Sequence, residues 1–276
     1  MMIDFKIDIE KCTECSLCSK ECPTLIIDGK KGIPEIKEGK EKQCIKCQHC
    51  LAVCPTGALS ILGKNPEDSV LVKGEIPSTN AMKHLIQTRR TIRKYKDEVL
   101  STSELNDLLQ TAAFAPTGHN KNQVLLTLTK STEQRDKLRV LVYDAIKEVI
   151  DAGKLPDSLA MFGSFQKVWD SKGIDVLFRN APHIILASAP SSINSCVADC
   201  VISLTYMELY ANTKGIGTLW DGLAKVVFDK IAPELKLQLG IPEEHTLGYI
   251  MVFGKPAVKY TRSVQSEGLN VNTLNL

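Results

Sequence analysis

Cys12-Thr13-Glu14-Cys15-Ser16-Leu17-Cys18-Ser19-Lys20-Glu21-Cys22-Pro23 returns 32 residues later as Cys44-Ile45-Lys46-Cys47-Gln48-His49-Cys50-Leu51-Ala52-Val53-Cys54-Pro55. Both stretches read C-x2-C-x2-C-x3-C-P, so the chain carries an internal duplication. Eight of the ten cysteines fall in these two runs, and only Cys196 and Cys200 lie elsewhere. Disulfides would call for an oxidising compartment. Residues 1–10 carry Asp4, Asp8 and Glu10 among apolar neighbours and lack the basic and apolar regions of a signal peptide. The expected location is the cytoplasm, where clustered thiols point to metal.

Each run supplies three thiolates from one tight loop and a fourth, three residues on, that points elsewhere. That is the bacterial spacing for cubane 4Fe-4S clusters. Under this pattern Cys12, Cys15, Cys18 and Cys54 hold one cluster, and Cys44, Cys47, Cys50 and Cys22 hold the other. The two loops are thereby tied together. Zinc is the alternative, but zinc sites pair two C-x2-C units at a distance, which is a different arrangement. Residues 1–62 resemble the bacterial two-cluster 4Fe-4S ferredoxins, and Cys54-Pro55-Thr56-Gly57-Ala58 matches that family's second-motif ending. Residues 1–84 contain a single aromatic, Phe5, so the clusters themselves are expected to supply much of the folding energy.

With 276 residues the chain has room for about two domains. Its composition, 43% hydrophobic and 24% charged, is that of a globular protein rather than a disordered one. The formal charge of +2 includes no polybasic run, and no apolar stretch is long enough to span a membrane, so neither nucleic acid nor a membrane is an expected partner. Residues 63–80 are rich in Gly, Pro, Ser and Asn and read as a linker. Val70, Leu71 and Val72 inside it are expected to lie against the protein. The expected organisation is 1–62, a linker at 63–80, and a second domain over 81–276.

In the second domain, Met82, Leu85 and Ile86 suggest a short helix, and Ser101-x-x-Glu104 reads as a capping box before the stripe Leu105, Leu108, Leu109, Ala112. Leu138, Leu141, Val142, Ala145, Ile146 and Val149 mark a long helix, and Asn194 caps another that runs to about residue 212. Strands are expected at 124–129, 184–189, 216–220 and 246–253. Residues 151–180 mix Gly153, Pro156, Gly163 and Gly173 with Phe162, Phe165, Trp169 and Phe178, which suggests a partly irregular lid. The fold class is α+β.

Arg89-Arg90-Thr91-Ile92-Arg93 places three guanidiniums and a hydroxyl where the first helix ends, a composition suited to a phosphate. With it stand Ala115-Pro116-Thr117-Gly118-His119-Asn120, the run Gly215-Ile216-Gly217-Thr218-Leu219-Trp220-Asp221-Gly222, and Gly254-Lys255-Pro256 with Arg262 downstream. In this order, residues 83–265 resemble the FMN-dependent nitroreductase family. The resemblance implies a central, mainly antiparallel sheet and a homodimer. It implies that Arg89, Arg90, Thr91 and Arg93 contact the flavin and its phosphate, and that Pro116, Thr117, Gly118 and Asn120 reach the partner subunit's flavin. It also implies backbone donors from Asp221 and Gly222 at the flavin N5 and O4 edge, and phosphate binding by Arg262. Where that family continues x-Q-P-W, this chain has Lys121-Asn122-Gln123-Val124. The roles are physically coherent, because a reduced flavin and a phosphate are both negative and Arg keeps its charge at any working pH.

Cys196 and Cys200, four apart on a helix, read as packing thiols. His119 reads as a turn residue rather than a proton donor. Phe162, Phe165 and Trp169 either clamp an aromatic substrate or fill core. No G-x-G-x-x-G follows a strand, so no Rossmann nicotinamide site is expected. The functional expectation is an FMN oxidoreductase fed through its own two 4Fe-4S clusters by a low-potential donor. Its acceptor would be a small planar organic molecule such as a nitroaromatic, a quinone or an activated double bond. The alternatives are an electron-transfer or redox-sensing flavoprotein serving a protein partner, and a flavin-binding or flavin-modifying protein without nitroreduction.

Overall fold

The structure is a computed structural model that describes residues 3–29 and 32–274, so the outermost residues of the expected 1–62 and 81–276 domains lie outside it. The chain groups into two units, Met1–Ile76 with His119–Lys121, and Pro77–Gly118 with Asn122–Leu276.

The duplication organises the first unit. Helices α1 (Leu17–Glu21) and α2 (His49–Ala52) follow the two cysteine loops. Strand β1 (Phe5–Ile7), before the first loop, pairs antiparallel with β4 (Leu59–Ile61), after the second. Strand β2 (Ile27–Asp28), after the first loop, pairs with β3 (Glu35–Ile36), before the second. Each repeat thus completes the other. The loops share a backbone device: Glu14 and Ser16 have φ of 53° and 59°, and their counterparts 32 residues on, Lys46 and Gln48, have 57° and 60°. Left-handed backbone on a non-glycine residue costs roughly 1–3 kcal/mol. Alternating the hand turns successive N–H groups inward to form a nest for an anionic centre, as around iron–sulfur sites. The core beneath is small: Ile26, Ile27, Leu51, Leu59 and Ile61 with three of the cysteines. Val70, Leu71 and Val72 do not lie against the protein as expected. They are 95%, 79% and 85% exposed, because no strand or helix forms around them to bring a partner face.

The second unit is built on a four-stranded antiparallel sheet, β5 (Leu125–Leu128), β6 (His183–Pro190), β7 (Gly217–Trp220) and β8 (His245–Gly254), in the order β5-β6-β8-β7. Helix α3 (Thr79–Thr88) is capped by Ser78 and buries none of its residues. Helix α4 (Thr102–Ala112) carries the expected capping box between Ser101 and Glu104. On one sheet face, α4 and α7 (Cys196–Thr213) enclose Leu105, Leu108, Leu204, Met207 and Met251. On the other, α5 (Thr132–Asp151), α6 (Met161–Lys172), α8 (Gly222–Val226) with the wide turn Val227–Ile231, and the short α9 (Leu235–Gln238) surround Tyr143, Phe162, Phe178, Ile184 and Ile250. Among the described residues no helix is long and apolar enough to cross a membrane. Ser195, one residue beyond the expected Asn194, stands at the N-cap of α7.

The segment expected to be a lid is instead core. Phe162 is buried on α6, Phe165 packs edge-on against it at 5.5 Å, and Trp169 stacks on Tyr143 at 4.2 Å under the Arg139 guanidinium. The turn that follows is locked by Asp175. Its Oδ1 accepts from the Phe178 N–H and the Tyr143 hydroxyl, its Oδ2 accepts from the Asn180 N–H, and Arg139 Nε lies 3.0 Å from Oδ2 as an ion pair without hydrogen-bond alignment.

Fully buried His183 ties three strands of chain. Its Nδ1 faces the Thr129 carbonyl at 2.8 Å and so carries the proton, and its Nε2 accepts from Leu100 N–H at 2.8 Å. Burial, the largest influence, pushes its pKa down. The native state therefore binds fewer protons than the unfolded chain near pH 6, and stability present above about pH 6.5 is lost as pH falls below it. Changing His183→Ala strands both partners and opens a cavity, an expected loss of about 2–4 kcal/mol in urea unfolding. A loss under about 1 kcal/mol would show that the network is dispensable.

Candidate functional site

Two hollows in the first unit are ringed by thiols. One, of about 330 Å³ with open solvent included, is lined by Cys12, Cys15, Cys18 and Cys54. The other, about 340 Å³, is lined by Cys22, Cys44, Cys47 and Cys50. Each hollow takes three thiols from one repeat and the fourth from the other. The electrostatics repeat this grouping. Burial chiefly raises the Cys50 thiol, to about 11, and the neighbouring Cys47, Cys22 and Cys44 thiolates add to it. Cys18 is likewise raised by burial, with Cys15 and Cys54 adding. Thiols held this closely resist ionising together unless a cation is bound among them. Four thiols around each hollow are the ligand number that a 4Fe-4S cluster takes. Backbone N–H groups support the sulfurs, with Ala58 donating to Cys54 Sγ at 3.2 Å and Lys46 to Cys44 Sγ at 3.4 Å.

In the second unit, the chain after α3 runs along the edge strand β7: Thr91 bridges Thr218, and Ile92 N–H donates to the Thr218 carbonyl at 2.9 Å. Gly217 makes this approach possible, since a Cβ there would sit 2.3 Å from Ile92 Cγ1. The three arginines have separate fates. Arg89 Nη1 pairs with Glu208 Oε1 at 3.3 Å, Arg90 folds back onto the Gln87 carbonyl, and exposed Arg93 makes no hydrogen bond or ion pair among the described residues. Arg89 thus has an ion-pair partner within the chain. Glu208, which the motifs did not single out, joins them: its Oε1 also accepts from Thr218 Oγ1 at 2.7 Å, and its Oε2 accepts from Trp220 Nε1 at 3.0 Å. Its place on the buried face of α7, one turn after Leu204, was the available signal, because a carboxylate there needs donors.

Of the pair expected to present backbone donors, Asp221 has already spent its N–H on the Ile250 carbonyl at 2.9 Å. The N–H of Gly222, first residue of α8, has no acceptor among the described residues. Tyr249 stands beside it, its hydroxyl 3.3 Å from where a Gly222 Cβ would lie, and its ring meets Trp220 edge-on at 5.2 Å. Sequence reasoning missed Tyr249 because no motif marks it.

The Pro116–Asn120 stretch is also partly engaged. Gly118 N–H donates to buried Asp199 at 3.0 Å, and a Cβ on Gly118 would strike Ser195 Oγ at 2.1 Å. Asn120 groups with the first unit, where its amide donates to the Ile45 carbonyl at 3.0 Å. Thr117 Oγ1 and Asn122 bond to one another, and both line a pocket of about 520 Å³, open solvent included, with Leu109, Ala112, Val124 and Ser203. Pro116 is exposed, and Arg262 is exposed on the irregular stretch 255–274 with no hydrogen bond or ion pair among the described residues. His119, at φ 51°, sits in the turn as expected. Cys200 packs against Gly248, and burial pushes its thiol up to about 12.

Thiol-ringed hollows from a duplicated motif, followed by an antiparallel α+β unit with a cradle at its edge strand, define an iron–sulfur protein fused to a larger domain. The Nitroreductase family model matches residues 86–255, more than half of the chain, and the 4Fe-4S dicluster domain model matches residues 11–59. The chain belongs to the nitroreductase family and is an oxidoreductase with an iron–sulfur domain. Among solved structures, an FMN-bound nitroreductase from Bacteroides fragilis NCTC 9343 is 20% identical with a TM-score of 0.56, over 71% of this chain and 100% of that one. Another with bound FMN, from Desulfitobacterium hafniense DCB-2, is 22% identical at a TM-score of 0.53, over 69% and 98%. These likenesses show the fold. Among curated proteins, an uncharacterized protein of Methanocaldococcus jannaschii is 39% identical over 56 residues, and the match spans about a fifth of each chain.

Proposed function

We propose that this oxidoreductase binds FMN, receives electrons through two 4Fe-4S clusters of its own, and reduces a nitroaromatic, a quinone or an activated double bond. The observation that carries this reading is the presence, in one chain, of two crossed four-thiol hollows and a nitroreductase domain. Cys12, Cys15, Cys18 and Cys54 hold one cluster, and Cys44, Cys47, Cys50 and Cys22 hold the other. Changing Cys22→Ala is expected to damage chiefly the cluster held by the second repeat, and Cys54→Ala the one held by the first. Paramagnetic resonance of the reduced variants checks this, and damage confined to the mutated repeat's own cluster would refute the crossing.

When bound, FMN supplies a carrier that accepts electrons singly and delivers them in pairs. The residues fit it: an unengaged N–H at Gly222 to orient a ring edge, and the unpaired guanidiniums of Arg93 and Arg262 for the phosphate. Arg90 and Thr91 flank the phosphate end, and Arg89 braces that segment through Glu208. Charge-assisted bonds to a phosphate are worth about 1.5–3 kcal/mol, so Arg93→Ala or Arg262→Ala is expected to weaken FMN binding roughly tenfold or more. An unchanged dissociation constant would exclude the role. A homodimer completes the site, with Pro116, Thr117 and Asn120 toward the partner's flavin. Support comes from α3, which buries nothing of its own, and from Phe114, 82% exposed beside this stretch. A monomer in light scattering that still binds FMN would contradict it. Anaerobic purification with iron, sulfide and flavin quantified, followed by turnover of small acceptors, tests the whole reading. About eight irons per chain are expected. Stoichiometric zinc with little sulfide would overturn it.

A further inference from the structure

The proposed reaction leaves unused a buried titratable group at the edge of its own cradle. Asp221 is 2% exposed. Its Oδ1 accepts from the Ala224 N–H at 2.9 Å and so caps α8, the helix whose first residue is Gly222. Its Oδ2 is buried without a hydrogen-bond partner among the described residues. An N-cap needs only one oxygen, and Asn or Ser would serve as well. A carboxyl whose second oxygen is buried and unbonded resists ionisation. Three groups face it. Asp175, before β6, opposes its charge, and Arg179 in the same turn favours it. Tyr95, after α3, faces it with a phenol whose pKa is raised chiefly by burial and further by Asp221, so that it stays neutral. The balance is dominated by burial and brings the carboxyl up to about 7. Holding it there costs stability. The native state binds more protons than the unfolded chain above the usual carboxylate range, so stability falls as pH rises through that window toward 7.

We propose that Asp221 is a positioning residue that stores a proton for the flavin site, taking one from water when the adjoining cradle gains negative charge and returning it when that charge leaves. The inference rests on the reading that Gly222 faces FMN. The step balances simply. An O–H bond forms at Asp221 with a proton from solvent as electrons from the low-potential donor enter the cradle. That bond breaks, and the proton returns to solvent, as the electrons pass to the acceptor. Negative charge beside the carboxyl raises its proton affinity, and by reciprocity the bound proton favours reduction by the same factor.

The test is the midpoint potential of bound FMN as a function of pH, measured spectroelectrochemically on the full chain with clusters in place, for wild type and Asp221→Asn. The two are expected to coincide below about pH 6, where both side chains are neutral. Above about pH 7 the wild type is expected to fall below the variant. The gap should open toward tenfold in the reduction equilibrium per pH unit, about 30 mV for a two-electron couple. Asp221→Ser, which keeps a capping oxygen and cannot ionise in this range, must follow the Asn line. If Ser departs from Asn as far as wild type does, packing rather than a stored proton sets the potential and the inference fails. Parallel lines with FMN bound to both proteins overturn this inference alone. Failure of every form to bind FMN overturns the functional reading and this one with it.

Discussion

Stripping iron from the native chain with a chelator is expected to unfold the N-terminal unit while the nitroreductase unit stays folded. The reason lies in how little else holds residues 5–61. Five aliphatic side chains and three cysteines form the buried core, and β2 and β3 are two residues long. Against this stand Glu14, Ser16, Leu25, Lys46 and Gln48, all non-glycine residues held in left-handed backbone. At roughly 1–3 kcal/mol each they would outweigh such a core. Eight thiols turned toward two hollows also repel one another once ionised. Metal ligation reverses both terms, and for small metal-dependent domains it is worth about 10 kcal/mol or more. Hydrogen exchange reads the outcome by segment. Protection should vanish across residues 5–61 and persist in β6 and β8, and unchanged protection in β1 and β4 after iron loss would contradict the account.

Replacing Glu208→Ala is expected to have the next largest effect, a loss of about 3–5 kcal/mol from the second unit. One buried carboxylate accepts from Arg89, Thr218 and Trp220, and thereby holds the post-α3 segment, β7 and α7 together. Removing it leaves a half-buried guanidinium, a hydroxyl and an indole N–H without their acceptor. Glu208→Gln keeps the acceptor oxygen and should lose less. Urea unfolding measures both, and an alanine variant within about 1 kcal/mol of wild type would show that the network does not organise the cradle.

How far the sequence was legible follows from the range of the interactions involved. The cysteine repeat is legible because its pattern is complete within twelve residues, and one hollow is lined by Cys12, Cys15, Cys18 and Cys54, the other by Cys22, Cys44, Cys47 and Cys50. The capping box at Ser101 and the four strands of the larger sheet are equally local signals. Residues 151–180 misled because Gly163 and flanking turns suggested irregularity. What decides that segment is tertiary: Phe162, Phe165 and Trp169 share one face of α6 and bury it. The bonds that hold the N–H groups of Asp221 and Gly118, to Ile250 and Asp199, were not legible in the motifs because those partners lie far off in the chain. Glu208 and His183 were passed over for the same reason, since a buried polar residue is recognised by its partners.

The route of the electrons is the central claim, and one comparison tests it most directly. The full chain and a form lacking residues 1–79 are loaded with FMN, binding is confirmed in both, and turnover with a reduced ferredoxin-type donor is set against turnover with NADH or NADPH. Clusters of this type reach potentials as low as about −700 mV, so downhill flow runs from iron–sulfur to flavin. The account predicts that the shortened protein keeps its FMN and loses turnover with the low-potential donor. Equal turnover by the two proteins with that donor would mean that the clusters are not the entry route.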